Sequence, residues 1–169
     1  GVETLILNAP VNANFSDQNV GIGKTVTASG YTLADGTGLA SNYQLASNTA
    51  TATADVTPAP LTVTANADGK TYNGLAYTGG NGVAYSGFVN SETSTVLGGA
   101  LAYGGTSQGA INAGGYVITP SGQTSGNYTI TYANGALTVN TAPLTVTANA
   151  DSKTYNGLAY TGGNGVAYS

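Results

Sequence analysis

Leu61–Ser86 reads LTVTANADGKTYNGLAYTGGNGVAYS, and Leu144–Ser169 reads LTVTANADSKTYNGLAYTGGNGVAYS. The two differ only at Gly69 against Ser152, and subtracting 61 from 144 sets them 83 residues apart. That period suits one small domain per repeat better than one turn of a short-repeat solenoid. The chain therefore reads as a slice through an array. Residues 1–58 are the C-terminal part of a related module, 59–142 a complete module, and 143–169 the N-terminal part of the next.

Within the complete module, Leu61, Val63 and Ala65 alternate with Thr62 and Thr64. This is the period of two that turns one face of a strand to a core and the other to water. Lys70-Thr71-Tyr72 runs into Asn73-Gly74, which tolerates the positive φ of tight turns, so a hairpin or sharp corner is expected before Leu75-Ala76-Tyr77. Ala100–Tyr103, Tyr116–Thr119, Tyr128–Tyr132 and Ala136–Val139 read as further strands, the last two joined by Asn134-Gly135. Phe88–Leu97 breaks the alternation. Asn90 or Ser91 suits a cap, Glu92 a first turn, and Phe88 with Val96 an inward face, which predicts one or two helical turns. The fold class is all-β: tandem small antiparallel modules, immunoglobulin-like sandwich or β-grasp-like, with at most one short helical segment near 88–97, in an elongated array.

Thr4–Leu7, Lys24–Ser29 and Thr49–Val56 carry the same strand signals, and Tyr43-Gln44-Leu45 alternates as well, with Ser47-Asn48 as its expected turn into Thr49. Asn19-Val20-Gly21 echoes Asn112-Ala113-Gly114, and Ser41-Asn42-Tyr43 echoes Gly126-Asn127-Tyr128. Pro58-Ala59-Pro60 and Thr141-Ala142-Pro143 separate the modules. Proline fixes φ and stiffens a short connection, so these junctions are expected to be semi-rigid linkers.

Charged residues are 6% of the chain, against roughly 25% in an ordinary soluble domain. Cys, Met, Trp, His and Arg are absent, which excludes disulfides, Cys/His zinc sites, haem ligation and every His- or Cys-based catalytic arrangement. The formal charge is −4, with only Lys24, Lys70 and Lys153 positive, so no basic stripe exists to neutralise a phosphate backbone and nucleic acid is not an expected partner. No apolar run approaches the roughly 20 residues of a membrane helix, so no membrane insertion is expected in this segment.

Three motifs invite chemistry. Gly21-Ile22-Gly23-Lys24-Thr25 resembles a phosphate loop, but the pattern needs glycine where Gln18 stands and a helix where Val26-Thr27 reads as strand. Lys70 and Lys153, in Lys-Thr-Tyr-Asn-Gly, have no acid–base neighbour in view and read as solvated strand-end charges rather than Schiff-base nucleophiles. Asp17, Asp35, Asp55 and Asp68 lack calcium-loop spacing, which leaves a calcium between modules as the alternative to no metal and no cofactor. Asn14-Phe15-Ser16 and Asn127-Tyr128-Thr129 match the N-glycosylation pattern. The twelve tyrosines are the one aromatic feature, and Tyr72, Tyr77 and Tyr85 are the candidates for stacking on sugar rings, against the alternative that they fill a small core.

Pro60–Asn66 (PLTVTAN), Lys70–Gly74 (KTYNG), Gly87–Thr93 (GFVNSET), Ser125–Ile130 (SGNYTI) and Gly135–Val139 (GALTV) resemble the MBG-type repeats of large bacterial surface adhesins. Gly23–Thr27, Ser41-Asn42-Tyr43 and Asp55–Pro58 are similar to the end of the YDG-type module that commonly precedes them. The resemblance implies a filamentous-haemagglutinin-like exoprotein, exported by a two-partner secretion system, whose repeats form a stalk. It supplies no active-site residues.

The expected function is then a non-enzymatic stalk segment of a secreted adhesin or extracellular matrix filament at the bacterial cell surface, supporting adhesion or biofilm formation. Its partners would be neighbouring repeats, with polysaccharide or like filaments as further ones. A carbohydrate-binding module using exposed tyrosines is the first alternative. A fibre subunit associating through the low-charge edge Thr49–Val56 is the second.

Overall fold

A computed structural model of the protein describes residues 2–10 and 12–169. By contact the chain forms two compact units. One comprises residues up to 63 with 85–101 and 122–132, the other 64–84, 102–121 and 133–169.

In the first unit, β1 (Leu5–Asn8) pairs antiparallel with β4 (Thr32–Asp35). β2 (Asn12–Phe15), β3 (Gly21–Ser29) and β5 (Thr49–Val56) make an antiparallel sheet in the order β2-β3-β5. The expected strand at Tyr43–Leu45 does not form. A 3-10 turn over Ala40–Asn42 ends at Tyr43, whose amide donates to the Ala40 carbonyl at 3.1 Å, while Asp35 Oδ1 accepts from the Ala40 amide at 2.6 Å. Tyr43 Oη is tied to Glu3 Oε2 at 2.7 Å. Local side-chain and turn bonds thus take the groups a ladder would need, and β5 pairs with β3 instead.

β6 (Ala59–Ala65) begins at what the sequence reads as linker, so Ala59 and Pro60 are strand residues and the connection from β5 is only Thr57-Pro58. Proline is tolerated there because the start of a strand need not donate at every position. Leu61, Val63 and Ala65 are buried and alternate with exposed or half-buried neighbours, as the threonine pattern predicts. β7 (Asp68–Thr71), β8 (Val83–Ser86), β9 (Gly98–Gly104), β10 (Gly114–Thr124), β11 (Tyr128–Ala133) and β12 (Gly135–Asn140) follow. They assemble as β11-β6-β8 and β7-β12-β10-β9. The fold is all-β, and its described pairings are antiparallel except one: β12 runs parallel to β7, from Leu137 beside Asp68 to Asn140 beside Thr71.

The helical expectation over 88–97 shrinks to a 3-10 turn at Ser94–Val96. Asn90 and Ser91 do not cap it. Both have positive φ (50° and 60°), a turn conformation, and Val96 faces solvent. Asn134-Gly135 is likewise no hairpin, because β11 and β12 belong to different sheets.

The core of the second unit is Ala65, Ala110, Ile118, Leu137 and Val139, with Tyr77, Tyr103 and Tyr116 packed on it. Full burial of such a Leu, Ile or Val contributes about 1.5–3 kcal/mol. Leu137 and Val139 come from alternate positions of β12, with Ala136, Thr138 and Asn140 pointing away. In the same unit, β13 (Val146–Ala148) and β14 (Val166–Tyr168) pair antiparallel, with Val146 beside Tyr168. Every residue from 141 to 169 is exposed.

Candidate functional site

Each motif lysine donates to backbone carbonyls; Lys24 and Lys70 are half-buried, while Lys153 is exposed and solvated as expected. Lys24 folds back on its own turn, donating to the Asp17 carbonyl at 3.0 Å, the Asn19 carbonyl at 2.6 Å and the Asp17 carboxylate. Gly21–Thr25 lies in β3, so the phosphate-loop reading ends there. The Lys24 ammonium, followed by the Asn19 amide, holds the Asp17 carboxyl below its usual range. Lys70 Nζ donates to the Leu75 carbonyl at 2.6 Å, across a corner where Gly74 has φ 74° and the Leu75 amide donates to Asn73 Oδ1 at 3.1 Å. The Lys-Thr-Tyr-Asn-Gly stretch is therefore a self-closing corner, and Leu75–Tyr77 forms no strand beyond it. Sequence reasoning found the turn but missed the lysine that closes it, whose spacing of five to Leu75 was the available signal.

The three candidate tyrosines stand in different surroundings. Tyr72 is exposed, and its amide donates to the Asn140 carbonyl at 2.8 Å. Tyr77 packs on the core and its hydroxyl donates to Asp68 Oδ2 at 2.8 Å; burial first, then the Asp68 carboxylate, push its phenol up to about 12. Tyr85 packs against Phe88 with ring centroids 5.4 Å apart and planes tilted by 40°, and its hydroxyl accepts from Gln123 Nε2 at 2.8 Å. Two of the three hydroxyls are thus engaged inside the protein. Among the described residues no group of three acidic side chains comes together to hold a cation, and no helix is long and apolar enough to cross a membrane.

The polar contacts of longest sequence separation in the first unit gather on Asn127. Its Oδ1 accepts from the Val20 amide at 3.0 Å, its Nδ2 donates to Asn19 Oδ1 at 3.1 Å, and its carbonyl accepts from the Ala59 amide at 3.0 Å. Ser125 Oγ accepts from the Asn127 and Tyr128 amides at 3.1 Å each, which fixes the turn that presents the asparagine. Behind it Tyr128 is buried, packs edge-on against Phe88 at 5.4 Å, donates to Glu92 Oε2 at 2.5 Å and accepts from the Val89 amide at 3.1 Å. The Glu92 carboxylate, then burial, raise the Tyr128 phenol above its ordinary value, which keeps it a donor. These contacts join the turn before β3 to the start of β6 and the turn before β11, so the connection after β5 is bonded on both sides. The sequence shows Asn127 as a glycosylation pattern and as part of a repeated Asn-Tyr motif, not as a bonding centre; with both side-chain amide atoms engaged, a glycan there would break the clasp. Asn14, the other such asparagine, lies on β2 opposite Thr27.

Residues 61–138 match the MBG domain (YGX type) family and residues 1–52 the YDG domain family. No curated protein matches the chain. Among solved structures, a cell surface adhesin from Lactobacillus reuteri is 25% identical, the alignment covering 49% of this chain and 97% of that one at a TM-score of 0.34. The two matches fall, in order, on the two module types that the chain's own residues resemble.

Proposed function

We propose that this chain is a load-bearing stalk segment of a secreted bacterial surface adhesin, holding an adhesive region away from the cell and serving adhesion or biofilm formation. The observation that carries this reading is the parallel pairing of Asp68–Thr71 with Leu137–Asn140, an early and a late stretch of the same domain. Parallel strands cannot be joined by a hairpin, and β7, which follows the entry strand β6, runs in the same direction as the exit strand β12. Tension applied before Ala59 reaches β7 through β6, and with tension after Asn140 it slides β7 and β12 past each other, loading their hydrogen bonds together. An antiparallel pair pulled from one end would open one bond at a time. The chemistry of the chain agrees, since it has no His, Cys or Arg, and its lysines are spent on backbone carbonyls.

Single-molecule pulling tests this. With handles at the two ends of the chain, the domain at 59–140 should yield at a higher force than with handles at residues 59 and 109, where the late strands are not pulled. Equal forces in the two geometries would remove the load-bearing reading.

A second reading, lateral association between chains, is favoured by β5. It is the end strand of its sheet, its residues Thr49–Asp55 are exposed, and an unpaired edge with few charges is a template for another strand. Sedimentation velocity should show dimers forming as concentration rises, and Thr51→Lys or Thr53→Lys should suppress them. A concentration-independent monomer would exclude this reading.

A further inference from the structure

The residues that receive Asn127 recur later in the chain. In the first unit the clasped turn Asn19-Val20 stands just before β3, whose Gly21 pairs with Val56, three residues ahead of Ala59. In the second unit Asn112-Ala113 stands just before β10, whose Gly114 pairs with Val139, three residues ahead of Ala142. The two stretches Val56-Thr57-Pro58-Ala59-Pro60-Leu61 and Val139-Asn140-Thr141-Ala142-Pro143-Leu144 share the Val and the Ala-Pro-Leu in register. An asparagine, an amide and an alanine amide thus recur at the same places relative to the same strand pairing. Asn112, Ala113 and Ala142 are all exposed. Tyr116 Oη donates to the Asn112 carbonyl at 2.8 Å, which pins the turn from below while leaving its outer face open.

We infer that Asn112, Ala113 and Ala142 form a receiving surface for the Ser-Gly-Asn-Tyr turn of a following copy of the same domain. The incoming asparagine would accept from the Ala113 amide, donate to Asn112 Oδ1 and accept from the Ala142 amide through its carbonyl, repeating what Asn127 does at Val20, Asn19 and Ala59. Leu144–Ser169 repeats the opening of the 61–138 domain with one difference, so a following copy begins in this chain. The clasp is made of amides alone, and its strength is therefore insensitive to ionic strength, unlike a charge-based junction. The inference stands independently of any load-bearing role.

The test uses the full chain extended after Ser169 by a second copy of residues 87–142, which completes the following domain. The chain has no cysteine, so cysteines placed at Ser121 and Thr161 carry spin labels uniquely. The expected result is one narrow distance distribution, unchanged at high salt. Asn127→Ala in the added copy, and separately Asn112→Ala on the receiving side, should each lose the narrow peak while circular dichroism stays unchanged. Asn127→Ala in the original copy should leave this distance untouched and loosen only the junction at Asn19-Val20. A broad distribution in the unsubstituted extended chain, or a narrow one that survives both substitutions, would overturn the proposal. If either variant fails to fold, the other decides.

Discussion

Leu61→Ala should lower the unfolding free energy of the chain by about 2–5 kcal/mol, while Leu144→Ala should change it by no more than about 0.5 kcal/mol. The two leucines occupy the same place in nearly identical stretches, yet Leu61 is 1% exposed and Leu144 is 69% exposed. Truncating Leu61 removes a buried isobutyl group and opens a cavity that the neighbouring strands β11 and β8 cannot fully close. Truncating Leu144 removes apolar surface that water already covers. Because domains of this size are stable by only about 5–15 kcal/mol, the first substitution takes a large share of the total. Urea unfolding followed by tyrosine fluorescence measures both on the same chain. Similar losses at the two sites would mean that Leu144 is buried in solution.

Gly135→Ala is the second large effect, expected to cost about 1–3 kcal/mol, the range for overpacking a filled site. A Cβ on Gly135 would lie 2.6 Å from the Ala65 carbonyl oxygen and 2.9 Å from that of Asn66, both backbone atoms that cannot swing aside. Gly74→Ala makes the useful comparison. Gly74 sits at φ 74° with nothing within 4 Å of the added carbon, so only the left-handed backbone is penalised, by about 1–2 kcal/mol. Gly135 is not among the positive-φ glycines. Replacement of Gly74 by Asn, which tolerates the left-handed region, should recover most of the loss, whereas Gly135→Asn should be worse than Gly135→Ala. The reverse ranking in thermal unfolding would contradict the close approach at Gly135.

These two glycines show how far the residues alone carry the argument. Asn73-Gly74 and Asn134-Gly135 look alike in sequence. The first is the corner it promises; the second is a point where the chain leaves one sheet and joins another, with glycine needed for clearance rather than for φ. The strands at Leu61–Ala65, Lys24–Ser29, Tyr128–Tyr132 and Ala136–Val139 were legible because alternation is local. Their partners were not. Whether Tyr43–Leu45 or β3 pairs with β5, and whether β12 runs with or against β7, depends on contacts far along the chain that no short window contains. The Asn127 clasp was hidden for the same reason, since the bonds from its side chain reach residues 107 and 108 positions away.

The repeated stretch separates the two kinds of information within one molecule. Lys70 to Leu75 and Lys153 to Leu158 close their corners at 2.6 Å in both copies, and the Leu75 and Leu158 amides donate to Asn73 and Asn156 at 3.1 and 3.2 Å. Asn66 Nδ2 reaches the Asn81 carbonyl at 3.0 Å and Asn149 Nδ2 the Asn164 carbonyl at 2.9 Å, and Tyr77 and Tyr160 donate to Asp68 and Asp151. All of these partners lie within 15 residues of each other, so the loop to be closed is short, its entropy cost small, and the sequence by itself determines the bond. Burial is different. Val63 is 0% exposed and Val146 is 55% exposed, although the residues around them are the same. An apolar face leaves water only when distant strands arrive beside it, and β6 has β11 and β8 on its two sides whereas β13 has β14 alone. Tertiary structure alone decided the core, the parallel pair and the clasp.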